Sequence, residues 1–186
     1  PFFSRTKQSK VLYFDKTTTD QMNHLRKQGK PVIFLLPHVS LFETLAVSQD
    51  FRPAQGLKLG AIYRPNKNIE LDRWIRASRI STGMKLFSRK NALFEAKQFL
   101  RQGNWLVLLF DQHSGILGCH SYFLNRFASM TTLPGLLAKA AGATVVFTYP
   151  KRISFFKTSL QLTTLTCPLS DAPFAAHKIL EDLIIK

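Results

Sequence analysis

The chain has 186 residues, 45% of them hydrophobic and 16 of them Phe, which suits one domain with a sizeable apolar core and excludes a disordered or collagen-like chain. Its 26 Lys and Arg against 11 Asp and Glu give a formal charge of +15, which implies an anionic partner without saying which. Two cysteines, Cys119 and Cys167, exclude a disulfide framework, and no apolar run approaches the roughly 20 residues that cross a bilayer as a helix.

In chain order, Val11 to Phe14 reads as a strand, Asp20 to Gln28 as a helix stopped by Gly29, and Pro31 to Leu36 as a buried strand. Ser40 opens a helix. Lys58 to Tyr63 reads as a strand and Ile69 to Ser81 as an amphipathic helix, with Leu71, Trp74, Ile75 and Ser78 on one face. A short extended piece at Lys85 to Phe87 is followed by a helix capped by Asn91 and stopped by Gly103, then a second buried strand over Asn104 to Phe110 and a loop from Asp111 to Gly118. Thr131 to Ala141 reads as a helix of small residues, Ala143 to Tyr149 as a third apolar strand, Ser159 to Thr166 as a more exposed strand and Ala175 to Ile185 as a last helix. This alternation predicts a single α/β domain, a mostly parallel sheet flanked by helices, with its site beyond the carboxyl ends of the strands.

Charge is unevenly placed. Residues 52–101 hold twelve basic side chains against Glu70, Asp72 and Glu95, and no acidic residue stands between Asp111 and Asp171. A solvated surface is the ordinary meaning of such a run, and a basic module for nucleic acid or anionic lipid is the rival non-enzyme reading. Against nucleic acid, the aromatic residues fall in core-like runs rather than among the basic ones, and no recognition motif is present; no nucleic-acid partner is expected.

His38 and Glu43, four residues intervening, follow the apolar run Val32 to Leu36. Positions five apart lie about 140° around a helix, so the two side chains meet only if His38 sits in the loop before the helix, which Pro37 favours. Glu43 then accepts a hydrogen bond from one imidazole nitrogen while the other takes a proton from an alcohol. The competing reading is a capping box over Ser40-Leu41-Phe42-Glu43, in which the glutamate only bonds the helix start. His38 and Asp111 both fall just after a buried strand. His113, Cys119 and His120 lack zinc spacing and read as loop residues.

From Val32 to Tyr149 the chain resembles the late acyltransferases of lipid A biosynthesis, within the lysophospholipid acyltransferase superfamily. The resemblance is carried by His38-x4-Glu43, by Tyr63-Arg64-Pro65-Asn66-Lys67-Asn68 with Leu71-Asp72-Arg73, by Ser88-Arg89-Lys90, by Asp111-Gln112 with Gly115, and by the block from Ser121 to Thr132 ahead of Gly142-Ala143. The chain departs from the family pattern at His113, where Asp is common, at Asn125 for Gly and at Phe127 for Pro.

The resemblance implies one acyltransferase domain over residues 1–186, moving a fatty acyl chain from acyl carrier protein to a hydroxyl of a lipid A precursor, with His38 and Glu43 catalytic and no metal or organic cofactor. It implies that Arg64, Arg89 and Asp111 meet the substrate, the two arginines holding phosphate or sugar-acid groups or pairing with Asp111 instead. Arg73, Arg76 and Arg79 are candidates to dock the acidic carrier protein or anionic lipid headgroups at the membrane surface. The expected location is the cytoplasmic face of the inner membrane. The chain reads as a piece of a longer protein, truncated at both ends, with an apolar helix upstream. Glycerolipid acyltransferases are the alternative, and the Glu-Gly-Thr block they carry is not found.

Overall fold

A computed structural model describes residues 12–39, 42–48, 50–88, 92–116, 118–155 and 157–185. The elements among them run β1 (Leu12–Tyr13), α1 (Lys16–Gln28), β2 (Val32–Leu36), α2 (Glu43–Val47), β3 (Leu59–Tyr63), α3 (Ile69–Ile80), β4 (Lys85–Ser88), α4 (Ala92–Arg101), β5 (Trp105–Leu109), β6 (Cys119–Phe123), β7 (Arg126–Met130), α5 (Leu133–Ala141), β8 (Thr144–Ser154), β9 (Lys157–Thr164) and α6 (Ala172–Ile185). Seven strands form one sheet in the order β1-β9-β8-β2-β5-β3-β4. Pairing is parallel except between β8 and β9, so the expected α/β architecture with a mostly parallel sheet is the one observed.

All five residues of β2 are buried, because the strand lies mid-sheet with apolar residues packed on both faces. Successive side chains alternate between the two cores. Ile33 and Leu35 join Leu106, Leu108 and Phe110 against Phe99 of α4, Leu137 of α5 and Leu180 of α6, while Val32, Phe34 and Leu36 join Trp105, Phe51 and the Met22 and Leu25 side chains of α1. Phe34 meets Phe51 and Trp105 edge-on, at ring separations of 4.7 and 5.2 Å. On the other face Gly60 admits two rings against β3: a Cβ there would stand 2.7 Å from Phe99 and 2.8 Å from Phe87.

The structure differs from the sequence expectations at four places. Helix α1 starts at Lys16 rather than Asp20, because the Asp15 carboxylate accepts from the Thr18 N–H at 2.7 Å and the buried Thr18 hydroxyl donates to the Leu160 carbonyl. Helix α3 buries none of its residues, although Leu71 and Trp74 were expected on a packed face. Residues 119–130 form the hairpin of β6 and β7, turning at Leu124 and Asn125 with φ of 51° and 60°, so Cys119 and His120 belong to a strand rather than a loop. Strand β8 runs on to Ser154 instead of ending at Tyr149, held by its antiparallel partner β9. The expectations placed on Val11, Ser40, Arg89 and Asn91 lie outside the described residues. No helix among the described residues is long and apolar enough to cross a membrane.

Candidate active site

Strands β2 and β5 are parallel neighbours in strict register, Val32 opposite Trp105 through Leu36 opposite Leu109. The ladder continues one step further, where the Phe110 N–H donates to the Leu36 carbonyl. Two residues beyond each strand end stand His38 and Asp111, so the register that packs the core also sets this pair side by side. Asp111 holds the histidine twice: Oδ2 accepts from the His38 backbone N–H at 2.7 Å, and Oδ1 lies 2.6 Å from the imidazole Nδ1. A carboxylate only accepts, so the ring carries its proton on Nδ1 and leaves Nε2 free to accept. The Phe42 ring braces the imidazole edge-on at 5.2 Å. The two side chains are 29% and 18% exposed, open enough for a ligand and closed enough to keep the contact from full solvent screening.

The pair opens into a cleft of about 420 Å³, walled by His38, Glu43, Tyr63, Arg64, Arg79 and Gln112 among others. Glu43 faces this cleft without meeting the imidazole through any bond present. Its two oxygens accept from one Arg79 Nη at 2.7 and 2.9 Å, with the carboxylate 57% exposed and the guanidinium 19%. The physical reason is reach and charge. Glu43 occupies the first turn of the five-residue α2, and Arg79 at the end of α3 offers it a full positive charge. The sequence had paired Glu43 with His38. In the structure the His38 contact belongs to Asp111, for which the resemblance implies a place at the substrate. Helix α2 has Phe42 as its N-cap and no side-chain cap bond, and the Ser40 of the capping-box alternative lies outside the described residues.

The other basic candidates separate. Arg64 lines the cleft. Arg73 pairs with Glu70 at 2.9 Å, and the Arg76 guanidinium stands 5.8 Å from the centre of the Tyr63 ring. Arg79, expected on the same docking stripe, is turned onto Glu43 instead. Beneath the Glu43–Arg79 pair a smaller apolar recess of about 50 Å³ is walled by Leu36, Leu45, Ala61, Met84 and Val107, and it shares Phe42, Ile62 and Leu109 with the main cleft. Among the described residues no group of three His, Cys, Asp or Glu side chains converges as a metal site requires.

Residues 6–166 match the family described as bacterial lipid A biosynthesis acyltransferase. The chain belongs to that family. It is 30% identical over 132 residues to lipid A biosynthesis acyltransferase 2 of Shigella flexneri, covering 69% of this chain and 40% of that protein. It is 25% identical over 135 residues to the lipid A biosynthesis acyltransferase of Haemophilus influenzae, covering 71% and 41%. The chain thus spans about two fifths of the length of the curated relatives it matches.

In this member of the family, two residues at or behind the site have contacts that the motifs do not specify. Gln112, part of the Asp111-Gln112 motif but given no role by it, places its amide Nε2 3.3 Å from His38 Nε2. His177 of α6 lies buried behind the site, its ring edge-on to Phe110 and Phe123 at 4.8 and 5.7 Å and its Nδ1 2.7 Å from the Pro173 carbonyl. Burial pushes its imidazole below the ordinary histidine range, against the opposing pull of the Pro173 carbonyl and the Asp111 charge. Nothing in the helical pattern of α6 marks that position, which is decided by where the β6 strand and the end of β5 come to rest.

Proposed function

We propose that this chain carries the acyl-transfer centre of a lipid A biosynthesis enzyme, with His38 as general base and Asp111 as the carboxylate that orients it. The observation that carries this reading is the double hold of Asp111 on His38, which fixes the ring and leaves Nε2 open toward the cleft. Nε2 takes the proton of the acceptor hydroxyl as its oxygen bonds to the thioester carbon. The carbon–sulfur bond then breaks, and the thiolate leaves with the proton from the imidazolium. A base positioned in this way is worth roughly 10²–10⁴ in rate.

On this reading the acceptor is a lipid A precursor, in keeping with the lipid A biosynthesis family, and the acyl donor is acyl carrier protein. Arg64 and the Glu43-held Arg79 supply positive charge to the same cleft, suited to an oxyanion or to the acceptor's phosphates. The apolar recess below them suits the first carbons of the acyl chain. The domain works at the cytoplasmic face of the inner membrane, because a multi-acyl acceptor has negligible concentration in water. Replacement His38→Ala is expected to lower transfer from carrier-bound thioester to a tetra-acylated precursor, read by mass, at least 10²-fold with the unfolding midpoint kept. Wild-type turnover in that variant would overturn the assignment of the base.

A further inference from the structure

The nitrogen that Asp111 leaves open is not empty-handed. Gln112, the next residue along, brings its amide Nε2 to 3.3 Å from His38 Nε2, from an exposed position at the wall of the cleft. An amide N–H donates, and an imidazole with its proton on Nδ1 offers a lone pair at Nε2, so the two bonds on the ring are mutually consistent: Nδ1–H to Asp111, and Gln112 N–H to Nε2. The acceptor hydroxyl must occupy the place that the Gln112 amide holds.

We propose that Gln112 is the positioning residue for the acceptor: it marks the hydroxyl's place on Nε2, yields that place on binding, and turns its N–H onto the hydroxyl oxygen. This rests on the reading of His38 as the base. The hydroxyl then donates its proton to Nε2 and accepts from the amide, which leaves one oxygen lone pair for the thioester carbon and restricts its direction. A neutral amide suits this post where a charge does not. A carboxylate there would hold the proton on Nε2, and an ammonium would occupy the lone pair permanently. The charged or titratable group on the imidazole is Asp111 at Nδ1, and those that share the cleft with it are the Glu43–Arg79 pair, Arg64, Tyr63 and His113.

The test compares Gln112→Met and Gln112→Glu with wild type and His38→Ala, in the purified protein, using carrier-bound thioester and a tetra-acylated precursor across pH. Gln112→Met, similar in size and without a donor, is expected to lower kcat/KM about tenfold, about the size of one hydrogen bond, with the acceptor KM raised and the thioester KM unchanged. Gln112→Glu is expected to move the acid limb of the kcat/KM profile about one pH unit or more upward, so that activity lost at neutral pH returns in alkaline solution. Both side chains are exposed, so unfolding midpoints should stay at the wild-type value. Wild-type kcat/KM and acceptor KM in Gln112→Met, or an unmoved limb in Gln112→Glu, overturns the proposal. Loss of transfer in His38→Ala alongside such silent Gln112 variants would defeat Gln112 alone, whereas an active His38→Ala would defeat the base itself.

Discussion

The end of β5 and the start of α2 each bring a carboxylate to the same cleft, and they are held in opposite ways. Asp111, seventy-three positions from His38 in the chain, binds it through both oxygens, because adjacent parallel strands end level with one another. Glu43, five positions away, spends both oxygens on Arg79 and stays half in solvent. Nearness in sequence therefore does not decide which acid serves the histidine. Sheet register does, since it sets the pair side by side beyond the level ends of two buried strands, whereas a surface ion pair between two helices contributes little.

The contrast can be broken by neutralising each acid in turn. Asp111→Asn retains the size and loses the charge that fixes the Nδ1–H tautomer and stabilises the imidazolium, so kcat is expected to fall about 10²–10⁴-fold. Glu43→Gln removes a half-exposed pair worth on the order of 1 kcal/mol, about fivefold, and the loss should fall on KM through a loosened Arg79. Steady-state kinetics of both variants decide the matter. A Glu43→Gln loss equal to that of Asp111→Asn would return the orienting role to Glu43, the residue its spacing suggests.

Much of this arrangement is legible in the sequence, and the missing part has a definite physical source. The apolar run Val32 to Leu36 ahead of Pro37-His38 and the six apolar residues before Asp111 announce two buried strands with polar residues at their ends, and the strand–helix alternation announces the parallel sheet. What single-chain periodicity does not encode is which strands are neighbours. Strand β5 lies between β2 and β3, so sequence order and spatial order part at the site itself. A run of threonines weakens the helical signal at the start of α1, while the structure uses Thr18 to tie the helix to β9. The hairpin of β6 and β7 carries little sequence signal, because Leu124-Asn125 is not one of the glycine-containing pairs that usually mark such a turn.

The basic helix sharpens the same contrast between held and free charge. Arg79 is committed to Glu43, whereas Arg73 pairs only with an exposed i,i+3 partner and Arg76 rests near a ring. Reversing Arg73 and Arg76 to Glu is expected to raise the KM for acyl carrier protein or weaken binding to anionic vesicles severalfold at low salt, with the difference fading as ionic strength rises. Arg79→Glu should instead lower turnover at every salt concentration, since it sets two acids against each other in the cleft. Salt-independent behaviour of the double reversal would assign Arg73 and Arg76 to the solvated surface.

The smallest expected effect lies behind the Asp111 end of the sheet, at His177. Its folded-state imidazole is depressed, chiefly by burial, so the unfolded chain binds more protons once the pH drops below the ordinary histidine value of about 6.5. The sign follows directly: stability is complete above that value and declines as pH falls from there through the depressed folded one. Asp15 is also depressed, by its bonds from Thr18, but it loses its contribution only in the lower window beneath the ordinary carboxylate value of 3.8. The two windows separate the residues. Between pH 7.5 and 5 the unfolding midpoint should therefore drop, by roughly 2–4 °C for each kcal/mol lost in a domain of this size. His177→Phe retains a ring between Phe110 and Phe123 and cannot titrate, so its midpoint, lowered by loss of the ring's bond to the Pro173 carbonyl, should depend less on pH across that range. Equal slopes in the two proteins would show that His177 does not couple protons to folding, and that the packing behind Asp111 is insensitive to the charge it excludes.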